Sequence, residues 1–177
     1  MAIVRGNNLS QSIFGTSFND SIYAYGGNDY VNAGAGNDMV DGGTGNDTIL
    51  GGTGYDTLYG NTGNDVVYGQ TGNDYISGGS GFDKLYGGDG NDRIFGGTEG
   101  DFLFGDLGAD TLDGGTGADI LNGGANNDNL YGSSGDDDLY GSTGDDLLVG
   151  GTNDDYMSGG ACFDMFFFKF ANGDDLI

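Results

Sequence analysis

The sequence predicts an all-β fold, a right-handed parallel β-roll (β-solenoid) with two nonapeptides per 18-residue coil and about nine coils. Three observations predict it. A nine-residue pattern, Gly-Gly-x-Gly-x-Asp-x-U-x with U a large apolar residue, runs without a slip from Gly6 to Phe167, which is 162 residues or 18 units. A fixed short period of this kind marks a stacked repeat architecture. Position eight is Ile, Val, Leu, Met or Phe in every unit, from Ile13 to Phe166. The six residues before the strand are turn formers, so each unit reads as a turn and then a short strand. A strand over positions seven to nine, with only its middle residue reliably apolar, turns one side chain inward. Turn, strand, turn, strand closes a flattened coil of two parallel sheets. At ~4.8 Å between strands, nine coils make a rod roughly 40 Å long.

The clearest units are Gly42-Gly43-Thr44-Gly45-Asn46-Asp47-Thr48-Ile49-Leu50 and the nonapeptide after it, Gly51 to Tyr59. Residues 1–5 form a short apolar lead-in. Gly6 to Phe14 is a degenerate first unit, with Gln11 in place of Asp and Leu9 in place of the third Gly. Regular units occupy residues 15–167, although Phe18, Glu99, Asn126, Asn153 and Cys162 stand where the third Gly is expected. Terminal units of a stacked array are expected to be atypical because they cap it. Residues 168–177 are expected to supply a capping strand and a half-unit displaced by two residues. The whole of 1–177 is expected to be one domain, and its abrupt end after Ile177 suggests a fragment of a longer protein.

Composition narrows the function. Acidic residues number 28 against four basic ones, giving a formal charge of −24, and all the acids but Glu99 are Asp. Phosphate binding needs Lys and Arg, so nucleic acid is not an expected partner. A charge this high and unneutralised opposes compaction, which makes the chain dependent on bound cations. No apolar run is long enough to span a bilayer, and the N-terminus is not a cleavable signal peptide. With no His in the chain and a single Cys162, no catalytic base or activated nucleophile is available, and no enzymatic activity is expected.

Seventeen units carry Asp at position six: Asp20, Asp29, Asp38, Asp47, Asp56, Asp65, Asp74, Asp83, Asp92, Asp101, Asp110, Asp119, Asp128, Asp137, Asp146, Asp155 and Asp164. Calcium takes six to eight oxygen ligands in flexible geometry. A Gly-rich turn offers bare carbonyls and Asp adds charge. One turn has too few oxygens, but two turns stacked one coil apart have enough. In motif and register the chain resembles the RTX (hemolysin-type calcium-binding) nonapeptide-repeat family. The resemblance implies Ca2+ held by the carbonyls of positions two and four plus the Asp of one turn, with the carbonyls of positions one and three plus the Asp of the next. Carried over, one site uses Gly43, Gly45 and Asp47 with Gly60, Thr62 and Asp65. Another uses Gly52, Gly54 and Asp56 with Gly69, Thr71 and Asp74. Pairing the Asp turns at a spacing of 18 gives up to about 15 ions, whose +30 more than offsets −24. The resemblance also implies type I export and folding outside the cell, so a secreted, extracellular or cell-surface location is expected.

Two outward features are left over. Leu50, Val66, Tyr68, Tyr86, Phe102, Phe104 and Ile120 fall on the outside of one sheet, where an apolar patch marks a contact surface. Tyr68, Tyr86, Phe102 and Phe104 are its candidate residues for homo-assembly, with the rod ends as the other route. A file of hydroxyls at position three, including Thr44, Thr62, Ser80, Thr98 and Thr116, resembles the flat Thr arrays of ice-binding solenoids. The expected function is a calcium-binding structural, interaction or self-assembly module. The alternatives are a calcium-dependent ice-binding or adhesion module, and an accessory repeat region of a larger secreted enzyme or toxin.

Overall fold

Because one inward side chain recurs every nine residues, each strand can bury only a point, and burial becomes continuous only when coils stack. The computed structural model describes residues 1–167, so the expected capping strand and displaced half-unit of residues 168–177 lie outside the described residues. Nineteen strands follow in chain order: β1 (Ile3–Asn7), β2 (Ser12–Phe14), β3 (Ser21–Tyr25), β4 (Tyr30–Ala35), β5 (Met39–Thr44), β6 (Thr48–Thr53), β7 (Thr57–Thr62), β8 (Val66–Thr71), β9 (Tyr75–Ser80), β10 (Lys84–Asp89), β11 (Arg93–Thr98), β12 (Phe102–Leu107), β13 (Thr111–Thr116), β14 (Ile120–Ala125), β15 (Asn129–Ser134), β16 (Asp138–Thr143), β17 (Leu147–Thr152), β18 (Tyr156–Ala161) and β19 (Met165–Phe167). There is no helix among the described residues.

Odd-numbered strands form one ten-stranded sheet and even-numbered strands one nine-stranded sheet. Every pairing is parallel and shifted by one coil, as in Lys84↔Phe102, Leu85↔Leu103 and Tyr86↔Phe104. This is the stacked β-solenoid of two nonapeptides per coil that the period dictates.

The position-eight side chains form a single file between the sheets. From Ile22 to Met157 they have no exposed surface, Ile13 closes the file at 6 %, and Val4 and Phe166 pack against its ends. Each such side chain contributes about 1.5–3 kcal/mol. Positions seven and nine point outward and are half-buried or exposed.

Two expectations are corrected. The regular strands are six residues long, not three, and run from position seven through position three of the next unit. The reason is that positions two and three also pair across coils, as in Gly88↔Gln70 and Asp89↔Thr71. Only positions four to six are left as turn. The corner is made by left-handed backbone at positions two and four. It is held even by non-Gly residues, such as Gln70 (φ 77°) and Asp106 (φ 70°) at position two, and Glu99 (φ 74°) and Cys162 (φ 91°) at position four. The second correction is the lead-in. Residues 3–5 are the strand of an additional half-coil, because β1 pairs with β3 and puts Val4 in register with Ile22.

Core and face substitutions should therefore separate sharply in the calcium-loaded chain. Leu103→Ala should cost about 2–5 kcal/mol, the range for cavity-forming truncations. Arg93→Ala, on the exposed face of β11, should cost no more than about 0.5 kcal/mol. Urea denaturation at saturating calcium measures both, and equal costs would contradict a single-file core.

Candidate metal centre

The Asp of each turn sits between two backbones one coil apart. Its Oδ1 accepts the main-chain N–H of the preceding Asp in the same column: Asp47 N–H donates to Asp65 Oδ1 at 2.7 Å, and Asp56 N–H to Asp74 Oδ1 at 2.7 Å. The ladder starts with Ala2 N–H on Asp20 Oδ1 at 2.7 Å and ends with Asp146 N–H on Asp164 Oδ1 at 3.2 Å. From Asp20 to Asp155 every position-six carboxylate is buried, with at most 3 % of its surface exposed.

The second oxygen has no such partner. From Asp29 to Asp146, fourteen Oδ2 atoms are buried without a hydrogen bond. Native folds leave about a few buried polar atoms unsatisfied per hundred residues. Each costs about 1–3 kcal/mol, and more when charged. Here the same atom of the same repeat position is left over in turn after turn, so it requires a common counterpart.

The space beside that oxygen is shaped by glycine. A Cβ built on Gly42, at position one, would lie 2.7 Å from Asp47 Oδ2 and 2.9 Å from the Gly60 carbonyl oxygen one coil on. Two oxygens from successive coils thus converge where a side chain is missing. The carbonyls of positions two and four point forward along the rod: Gly45 O lies beside the Cα of Gly63, Gly54 O beside that of Gly72, and Asn61 O beside that of Gly79. The carbonyls of position three point back. Gly45 N–H donates to Thr62 O at 2.8 Å and Gly54 N–H to Thr71 O at 2.9 Å. The gap between the turns of Asp47 and Asp65 is therefore bordered by Gly45, Gly60 and Thr62, with Gly43 in the forward-pointing position-two column. The gap between Asp56 and Asp74 is bordered in the same way by Gly54, Gly69 and Thr71, with Gly52 in that column.

This donor set fits a hard cation. Its donors are all oxygens, the ligand type that hard cations prefer. Two carboxylates and several main-chain carbonyls are what a six- to eight-coordinate calcium ion uses.

Burial dominates the titration of the column. It pushes Asp56, Asp65, Asp110, Asp128 and Asp137 up to about 7. Asp74, Asp83 and Asp92 rise to about 6, and Asp101, with Asp83, Asp119 and Glu99 near it, to about 8. The main-chain N–H on Oδ1 works against burial and neighbouring carboxylates reinforce it. Asp20 is the exception. Its Oδ2 accepts the Thr16 hydroxyl and the Thr16 N–H, both at 2.7 Å, and these bonds hold it below the usual range.

A second ladder was not read from the sequence. Position-five Asn side chains tie successive turns: Asn28 Oδ1 accepts from Asn46 N–H, Asn46 from Asn64, and Asn64 from Phe82, each at 3.0 Å. The recurrent Gly-Asn-Asp triplet is the signal that could have found it. Glu99 makes a related bond from position four, its Oε2 accepting Gly81 N–H at 3.0 Å.

The chain matches the family model described as RTX calcium-binding nonapeptide repeat (4 copies), over residues 5–40, 41–76, 68–103, 95–130, 104–139 and 131–161. No curated protein matches it.

The raised carboxylates set a pH dependence for the metal-free chain. A folded-state value above the unfolded 3.8 means that the fold holds more protons than the unfolded chain between about pH 4 and 8. Stability without metal must then fall as pH rises through that window. In chelator, β-structure by circular dichroism should increase from pH 8 to pH 5. A metal-free fold that strengthens toward pH 8 would contradict the orphaned Oδ2.

Proposed function

The chain belongs to the RTX calcium-binding nonapeptide repeat family, and from that premise we propose that it is a structural module that folds when Ca2+ fills the gaps between stacked turns. The file of partnerless Oδ2 atoms carries this reading. The ion supplies the positive charge that lets each carboxylate stay ionised while buried. Gly43, Gly45, Asp47, Gly60, Thr62 and Asp65 would hold one ion, and Gly52, Gly54, Asp56, Gly69, Thr71 and Asp74 another. Folding outside the cell is part of the proposal, because extracellular modules work at millimolar calcium. A role in shape and contact rather than catalysis follows from the use of the acidic side chains as ligands.

In chelator at neutral pH the chain should be mainly unfolded, and millimolar calcium should produce β-structure by circular dichroism. Magnesium should substitute poorly, because it demands near-ideal octahedral geometry at shorter distances. A folded chain indifferent to chelator would overturn the proposal. Asp74→Asn should weaken two gaps, those shared with Asp56 and Asp92, and right-shift the calcium midpoint of folding. An unchanged midpoint would count against gaps shared between turns.

A specific observation favours self-association as a second reading. On the nine-stranded sheet Tyr68 stacks on Tyr86 at 4.9 Å and 9°, and Tyr86 on Phe104 at 5.0 Å and 6°. Phe102 lies in the next column beneath Lys84, whose ammonium is 5.8 Å from the ring centroid. Among the outward residues at positions seven and nine of the even-numbered strands, β2 to β18, Lys84 and Asp138 are the charged ones. At these two positions the face carries no net charge, in a chain of net charge −24, and the exposed Asp106 of β12 lies near Tyr86. Rings stacked along the rod turn their edges outward, which suits contact with a second apolar surface. We therefore propose calcium-dependent pairing of two copies through this face. Analytical ultracentrifugation should show association with calcium, lost in Tyr86→Asp with Phe104→Asp while calcium-driven folding persists. Persistence of the same assembly in that variant would move the contact to the rod ends.

A further inference from the structure

We infer that Glu99 makes the gap between Asp83 and Asp101 the tightest calcium site of the rod, by setting a third carboxylate where neighbouring gaps offer a neutral carbonyl. The inference rests on the calcium reading and concerns which gap holds its ion best.

The turn that leads to Asp101 reads Gly96-Gly97-Thr98-Glu99-Gly100-Asp101, and Glu99 is the one acid at position four among the eighteen units. Its backbone keeps the left-handed conformation of that position, φ 74°. Its carbonyl still points forward, beside the Cα of Gly117 one coil on, as the Gly45 and Gly54 carbonyls do beside Gly63 and Gly72. The turn therefore keeps its main-chain geometry and gains a side chain.

That side chain takes over a bond that carbonyls make elsewhere. In the same column, Gly45 N–H donates to Thr62 O and Gly63 N–H to Ser80 O, both at 2.8 Å, and Gly117 N–H to Ser134 O at 2.9 Å. Gly81 N–H donates instead to Glu99 Oε2 at 3.0 Å, and the same oxygen accepts the Thr98 hydroxyl at 2.6 Å. Glu99 thus spans the two turns that border this gap. A Cβ built on Gly78 would meet Asp83 Oδ2 and, at 2.8 Å, the Gly96 carbonyl oxygen, so the usual oxygens converge here as well. The Thr98 hydroxyl and the Gly81 N–H hold Glu99 below the usual carboxylate range, and it is ionised at neutral pH. Its charge adds to burial in raising both flanking groups, Asp83 and Asp101. Calcium affinity follows the charge count of the ligands.

Other extra acids are placed differently. Asp136 and Asp145 bridge turns from position five, in the rim ladder that Asn fills elsewhere. Asp106, at position two, adds to the raising of Asp92 and Asp110 in the other column.

Crystals of the calcium-loaded chain, soaked back into graded free calcium set with a chelator, read each gap through its own anomalous peak. The peak between Asp83 and Asp101 should be the last to fade. Glu99→Gln keeps an oxygen for Gly81 N–H and removes the charge, so in that variant this peak should fade together with those of the neighbouring gaps. Asp106→Asn should leave it last. Peaks that fade together in the unsubstituted chain would overturn the inference. A lead that survives Glu99→Gln would reduce Glu99 to a structural tie and overturn it too, as would a lead lost in Asp106→Asn, which would assign the effect to overall charge. Calcium absent from every gap would remove the calcium reading itself.

Discussion

One buried carboxylate oxygen per turn sets the terms for everything else. The main-chain N–H of the preceding turn takes Oδ1 and thereby aims Oδ2 into the inter-turn gap. Successive carboxylates in a column lie about one strand spacing apart, ~4.8 Å. Two full charges at that distance repel by about 3 kcal/mol at an effective dielectric of ~20. Each inward aliphatic residue contributes about 1.5–3 kcal/mol. Repulsion along the column thus matches what the core can supply, before any chain ordering is counted. A cation in the gap reverses the sign of the interaction, and protons can only cancel it.

The same division runs across the surface. Most acidic side chains are gathered at the turns, where the position-six carboxylates face the inter-turn gaps, while the two sheet faces carry most of the outward aromatic and aliphatic residues. The position-one glycines link the two regions, because the missing side chain both lets strands stack and keeps the oxygens of successive coils open to an ion. Position-five Asn adds a lattice of coil-to-coil bonds on the outer rim of the turns.

Much of this was legible in the sequence because a nine-residue period carries its own geometry. Position eight, read as a column, is the core, and position six is the line of buried acids. The odd-even split of sheets follows from two units per coil. What escaped reading lacked a periodic signal or depended on three-dimensional approach. Val4 joins the core file in register with Ile22, but it lies before the nine-residue pattern that starts at Gly6, and the pairing of β1 is what reveals the half-coil. The strands run three residues further than their apolar residues suggest, because the glycines that look like turn also pair across coils. Asn at position five is interrupted, as by Tyr55, Phe82 and Gly100, yet each Asn present there bonds independently to the coil beyond. Asp20 matched the pattern, and only its bonds to Thr16 distinguish it from Asp38.

The central claim is that Oδ2 of the position-six Asp meets calcium in the gap between stacked turns. Anomalous scattering from a crystal of the calcium-loaded chain tests it most directly. The account predicts peaks along both turn columns, each about 2.3–2.6 Å from an Asp Oδ2, as at Asp47 and Asp74. Calcium found only on outward carboxylates such as Asp41 and Asp113, with the buried Oδ2 atoms bonded to something else, would contradict it.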